Sequence, residues 1–327
     1  MTKFLIYSTV FLCIVFALIP HILYLLTWFV GKCARFAVPY RPFGWSALAL
    51  VTVCVLSIVY GYFVGRFRLV TKEVTFRHPD VPEAFDGYRV LQISDLHLST
   101  FDDAPQRLQR VVDAINAQHP DVICFTGDLV SFTSKEVEPY VTILRGLKAT
   151  DGVVSVLGNH DYATYVHSFT EEQKRQAVQS LICMERDTLG WQLLLNESKL
   201  LVRGGDTLSI LGCENQSCSG NGISPIKRGN LQQAMAGTSG FRVLLSHDPT
   251  HWRGEVLGKA IPLTLSGHTH AAQFRLFGWT PARWFYPESD GLYTEGDQAL
   301  YVNQGIGCTV PFRINAPQEI TVITLKR

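Results

Sequence analysis

The sequence lacks a surplus of charge of either sign: 29 basic residues against 28 acidic ones leave a formal net charge of +1. That excludes the strongly basic surface by which many proteins hold nucleic acid, and no nucleic-acid partner is expected. It also lacks a disulfide framework. Of the eight cysteines, the five that follow the N-terminal apolar runs, Cys124, Cys183, Cys213, Cys218 and Cys308, are an odd number with no paired spacing, which fits a reducing compartment. There is no internal repeat and no low-complexity tract. The most informative absence is local. Residues 4–31 contain no Asp, Glu, Lys or Arg, and neither do residues 46–65.

Each uncharged run is long enough to cross a bilayer as a helix. The first is too long for the apolar core of a signal peptide, and no clear cleavage site follows it. The expectation is a membrane segment at 1–68 with two transmembrane helices, at about 4–31 and 46–65, followed by one catalytic-sized domain at 69–327. Trp28, Tyr40, Trp45 and Tyr60 fall near the expected interfaces, where amphipathic rings settle. Two spans put both termini on one side. Lys3, Arg66, Arg68, Lys72 and Arg77 flank that side, against Lys32, Arg35 and Arg41 in the connection, so the domain is expected on the cytoplasmic face of an inner or plasma membrane.

Beyond residue 69, strand-like and helix-like patterns alternate. Residues 70–94 read as strand material ending in VLQIS (90–94). The stretch 104–119 carries Leu108, Val111, Val112 and Ile115 at helical spacing. VICFT (122–126), a helix near 135–147, VVSVL (153–157) and a helix over 170–183 follow. Later strands are expected at 208–212, 242–246, 263–267, 299–303 and 319–325, with loops at 213–230 and 277–296. This alternation predicts an α/β domain around a largely buried sheet.

Five polar motifs follow apolar runs directly: Asp95-Leu96-His97, Gly127-Asp128, Gly158-Asn159-His160-Asp161, Ser246-His247-Asp248 and Gly267-His268-Thr269-His270. Each alone has an ordinary reading as a cap, a turn or a satisfied polar residue. Together, each at a strand end, they form one cleft, because open α/β sheets bind ligands beyond the carboxyl ends of their strands. Carboxylate, amide and imidazole groups suit a divalent ion of borderline hardness such as manganese, iron or zinc. The spacings Asp95-x-His97 and His268-x-His270 would send both side chains of each pair to one face of extended chain. Glycine before Asp128, Asn159 and His268 permits tight turns and close approach. His78, before Pro79 in an early loop, reads as a surface residue; His119, His167 and His251 fall outside the motifs and read as surface or supporting residues; Asp248 and Thr269 read as supports of the ligands.

The order D-x-H, G-D, G-N-H-D, H, G-H-x-H resembles the calcineurin-like metallophosphoesterase superfamily, over about residues 85 to 325. Gly305-Ile306-Gly307, Pro311, Arg313, Asn315, Pro317 and Glu319-Ile320 resemble its small bacterial membrane-associated, phosphodiesterase-like branch. That branch usually continues G-H-T-H with two glycines and Gln, where this chain has Ala271, Ala272 and Gln273. The resemblance implies two packed mixed β-sheets flanked by helices (an αββα sandwich), behind the N-terminal hairpin. It implies a two-metal site: Asp95, His97 and His270 on the first ion, Asp128 bridging, and Asn159, His247 and His268 on the second. His160 would face the phosphate, with Asp161 setting its orientation. Arg313 reads equally as a phosphate contact or a structural ion pair. The implied activity is hydrolysis of a phosphate ester, in the first instance a phosphodiester, by a metal-activated hydroxide. Two alternatives stay open: a pyrophosphatase acting on a nucleotide-linked lipid precursor, and a non-catalytic membrane scaffold or sensor that retains the metal site.

Overall fold

A computed structural model describes residues 2–102, 104–219 and 226–327. The chain forms two compact units, one of residues 1–66 with 309–314 and one of residues 67–308 with 315–327.

In the first unit, helix α1 (Thr2–Ala34) and helix α2 (Arg41–Phe63) are joined by residues 35–40. Both extend beyond the uncharged runs, so Lys32 and Arg41, expected in the connection, lie within helices. Pro42 in the first turn of α2 needs no amide partner there. Tyr40 from the connection meets His21 Nε2 at 2.9 Å and packs edge-on against Tyr24. Most large apolar side chains of both helices are exposed, including Phe11, Leu26, Phe29, Val53 and Leu56. A helix apolar on every side has no stable place in water. Segments 5–34 and 41–67 have the length and composition to cross a membrane, which suggests membrane association.

The second unit is an αββα sandwich. One sheet runs in the order β1 (Leu69–Arg77), β12 (Gln318–Lys326), β2 (Arg89–Ile93), β3 (Val122–Phe125), β4 (Val153–Ser155), β5 (Gln192–Leu193). The other runs β10 (Gly291–Glu295), β11 (Gln298–Val302), β9 (Leu263–Ser266), β8 (Phe241–Leu245), β7 (Asp206–Gly212), β6 (Glu197–Arg203). Both are mixed: β2, β3 and β4 are mutually parallel, as are β7, β8, β9 and β11, while β12 opposes β2. Val90, Cys124, Val154, Ile210, Val243, Leu245, Leu265 and Ile323 fill the space between the sheets. On the outer face of the first sheet, α3 (Pro105–Asn116) buries Leu108, Val111 and Ile115 against Leu91, Ile93 and Phe125. Helix α5 (Glu171–Cys183) adds Leu181 to the same cluster. On the second, α6 (Leu231–Met235) and a π-helical turn at Trp252–Val256 cover Leu211, Leu244 and Leu300.

Three expectations change. The helix near 135–147 is two 3-10 turns followed by α4 (Val141–Leu144), because Pro139 interrupts the pattern. The loop at 277–296 contains β10, an edge strand whose large exposed share hides its periodicity. Strand β6 escaped notice because it, too, is a half-exposed edge. In the loop at 213–230, Gln216 pairs with Lys227; residues 220–225 lie outside the described residues.

Candidate metal centre

All five motifs leave the carboxyl ends of parallel strands. Asp95 and His97 follow β2, Asp128 follows β3, and Asn159 and His160 follow β4. His247 follows β8, and His268 and His270 follow β9. The two sheets thus contribute to one cluster from both sides. Crossing the gap, Gln92 donates to the carbonyl of Ser266 at 2.8 Å and to Thr126 Oγ1, tying β2 to β9.

The local backbone differs from the extended chain that the D-x-H and H-x-H spacings imply. Asp95 (φ 51°), His97 (38°), Asp128 (59°), His268 (72°) and His270 (49°) are all left-handed. Their side chains converge through tight turns, not through strand alternation. Non-glycine residues adopt this conformation at a cost of about 1–2 kcal/mol each, and such strain gathers at functional sites. Two glycines serve by their lack of a side chain. A Cβ on Gly158 would strike Asp128 Oδ1, and one on Gly267 would strike Ser94 Oγ and Asp95 Oδ2.

Among the described residues, three overlapping clusters have potential ligand atoms within 4.8 Å of one another: Asp95, His97 and His270; His97, Asp128 and His160; Asp128, His247 and His268. His97 Nε2 faces His270 Nε2 at 3.2 Å and Asp128 Oδ2 at 3.5 Å, and His270 Nε2 faces Asp95 Oδ1 at 3.3 Å. On the other side His247 Nε2 lies 3.3 Å from Asp128 Oδ2, 3.1 Å from Asn159 Oδ1 and 3.2 Å from His268 Nδ1. Asn159 Oδ1 is 2.7 Å from His268 Nδ1. Asp128 stands between the groups.

This donor set fits cations. Two pairs of imidazole nitrogens point at each other, and one hydrogen cannot satisfy both of them and the facing carboxylates; a metal ion satisfies all. His247 Nδ1 donates to the carbonyl of Thr126 at 2.7 Å, which leaves the Nε2 lone pair aimed inward. The electrostatics agree. Burial, then the charge of His160, holds His97 neutral, lowered to about 3, and burial lowers His268 to about 4. Burial raises Asp95 to about 6. His247 is raised to about 10 against burial, by the Asp128 carboxylate; His247 and His160 in turn lower Asp128, again against burial.

His160 is held differently from the expectation. Its Nδ1 lies 3.0 Å from the carbonyl of Ser131, its ring stacks on Tyr165 at 4.2 Å, and its amide donates to Asp128 Oδ1 at 2.8 Å. Asp161 does not orient it. The Asp161 carboxylate accepts instead from the amides of Asp128 (2.8 Å), Gly158 (2.9 Å) and Val130 (3.2 Å), so it ties together the loops after β3 and β4, which carry candidate ligands. The reason is geometric: a turn at residues 160–162 directs the carboxylate back into the loop after β3.

Residues outside the motifs divide. His78, expected at the surface, is instead buried, because its ring packs against Phe76 and Phe241 while it accepts from the amide of Asp80; His251, expected at the surface or in support, is buried with Nδ1 2.8 Å from Ser246 Oγ. His119 and His167 are exposed. Asp248 accepts from Thr250, and Thr269 donates to the carbonyl of Ser289. Arg313 is fully buried. Two contacts have no sequence signal. Tyr165 OH accepts from the Asn159 amide at 2.8 Å, and Tyr286 OH meets His268 Nε2 at 2.8 Å.

A profile of calcineurin-like phosphoesterases matches residues 88–272, which contain all of these candidate ligands. The chain belongs to this phosphoesterase family. It is a metal-dependent phosphoric ester hydrolase, of a family that works with two metal ions. An uncharacterized metallophosphoesterase of Bacillus subtilis, YkuE, is 31% identical to this phosphoesterase over 275 residues, spanning 82% of this chain and 90% of that one. A transmembrane protein with metallophosphoesterase domain from Danio rerio is 30% identical over 312 residues, 91% of this chain and 66% of that one. The UDP-2,3-diacylglucosamine pyrophosphatase LpxG of Chlamydia trachomatis is 27% identical over 330 residues, 84% of this chain and 95% of that one.

Proposed function

We propose that this phosphoesterase is a membrane-anchored phosphodiesterase, with residues 1–68 as a two-pass anchor and residues 69–327 as a catalytic domain on the cytoplasmic side. Asp95, His97 and His270 hold one ion, Asn159, His247 and His268 the other, and Asp128 both; manganese, iron and zinc suit these donors. The carrying observation is the convergence of His97, His247 and Asp128 oxygens and nitrogens within 3.5 Å from two different sheets. Bound there, two divalent ions supply an acidified water and neutralise the charge of the phosphate.

The protein's own groups do the rest. The Ser131 carbonyl fixes a hydrogen on His160 Nδ1, so Nε2 is the nitrogen left for the substrate. In its imidazolium form His160 gives the Nε2 hydrogen to the phosphate or to the leaving oxygen and is left neutral, with its Nδ1 hydrogen still on Ser131. Asp161 is a positioning residue, acting through the amides of Asp128 and Gly158. Purified full-length protein should hydrolyse an aromatic phosphodiester when given manganese. Metal binding with no turnover of diesters, monoesters or pyrophosphates would reject the reading.

A second reading is favoured by the similarity to LpxG along 95% of that protein's length: a pyrophosphatase acting on a nucleotide-linked lipid. The same assay separates the two, since a pyrophosphatase releases a nucleoside monophosphate from a nucleotide-linked lipid far faster than it cleaves a simple diester.

A further inference from the structure

Immediately after the ligand His270, the chain makes a projecting loop that carries apolar side chains into solvent. Leu276 and Trp279 exchange both backbone hydrogen bonds, each 2.9 Å, and enclose a two-residue turn of Phe277 (φ 48°) and Gly278 (φ 81°). Positive φ at both central positions favours Asn, Asp or Gly. Phenylalanine at the first is therefore strained, and it is 99% exposed at the tip. Trp284, 72% exposed, stands edge-on to Trp279 with ring centroids 5.0 Å apart. At that exposure no packing within the domain offsets the strain of Phe277, while Trp279 is 38% exposed.

The base of the loop is fixed to the metal centre. Thr280 Oγ1 donates to the carbonyl of Ala271, the residue after His270, and Arg275 pairs with Asp290. Beyond Trp284, Tyr286 returns to His268. The aromatic tip is thus carried on the frame that holds two candidate ligands.

We propose that this loop inserts Phe277, Trp279 and Trp284 into the bilayer surface, so that the metal centre works on phosphate esters presented at the membrane. The choice of occupant rests on three observations. The same chain carries two apolar helices of spanning length, which hold the domain near a bilayer at high effective concentration. Indole and phenyl side chains are those that settle at the membrane interface. A two-residue tip offers far less than the roughly 800 Å² per partner of a stable protein interface, but it suits a fluid surface. The inference rests only on the membrane association, not on which ester is cleaved.

The test uses the full chain with Trp28→Phe and Trp45→Phe, reconstituted in phosphatidylcholine bilayers with plain or brominated acyl chains. Of the remaining indoles, Trp191 and Trp252 are buried in the core, so bromine reads Trp279 and Trp284. Emission should fall in the brominated bilayers, and Trp279→Phe with Trp284→Phe should remove that fall. Phe277→Asp, whose side chain suits a left-handed turn, should reduce the quenching without lowering the unfolding midpoint. Emission indifferent to bromine overturns the proposal. So does a blue-shifted emission that bromine leaves untouched, which would mean that a protein or a second copy of the chain covers the loop. Quenching needs no turnover; a quenched but inactive protein would sink the phosphodiesterase reading alone.

Discussion

His160 has its Nδ1 occupied by a backbone carbonyl and its ring supported by Tyr165, so its remaining nitrogen is set without help from a carboxylate. His160→Ala should therefore keep both ions and lose roughly 10²-fold or more in turnover, read as kcat beside metal content. Asp161 acts differently. Replacing it by Asn leaves one oxygen for three amides. The unfolding midpoint should drop, by about 1–3 kcal/mol for the unsatisfied amides, and metal affinity should weaken with it; unchanged stability would remove Asp161 from its positioning role. Ala271 and Ala272 stand where the related branch has glycines, and both sit at φ 49°. The left-handed backbone that glycine takes freely is retained here at the expense of strain. Ala272→Gly, at an exposed position, should stabilise the chain by about 1 kcal/mol in urea melts.

At the scale of elements, the site exists because five parallel strands end at one edge. The runs VLQIS, VICFT, VVSVL, RVLLS and LTLS announced those strands by apolar content, and the polar residue after each announced the edge. The legible part of the fold is the part buried on both faces. Edge strands β6 and β10 carried no such signal, since half their side chains face water. The turns were illegible for another reason: the left-handed backbone of Asp95, His97 and His270 is imposed by the loops they meet and has no local signature in residue type. Tyr165 and Tyr286 reach Asn159 and His268 only by tertiary folding. Behind the site, Glu185 in a π-helical turn is fully buried and accepts from Ser155 Oγ at 2.6 Å. Burial first, then the nearby Asp161 carboxyl, raises its pKa well above 4.5. The folded chain then keeps a proton that the unfolded chain releases, so stability falls as pH rises above the ordinary carboxylate range. Glu185→Gln should flatten that decline in urea midpoints measured from acid to neutral pH; an unchanged slope would show that Glu185 is ionised in the folded chain.

At the scale of the whole molecule, an apolar hairpin of two helices accompanies a catalytic sandwich in one chain. The full chain should remain with membranes through an alkaline wash that strips peripheral proteins; release would mean that the helices do not span. The central claim is that side chains from both sheets hold two ions and that the ions make the hydrolase. Its most direct measurement is a titration of metal-stripped, full-length protein with manganese, following bound metal and aromatic phosphodiester hydrolysis in the same samples. Hydrolysis should appear with metal and saturate near two ions per chain, and Asp128→Asn should abolish both the binding and the rate. Saturation of two sites with no hydrolysis, or full hydrolysis by Asp128→Asn, would contradict the account.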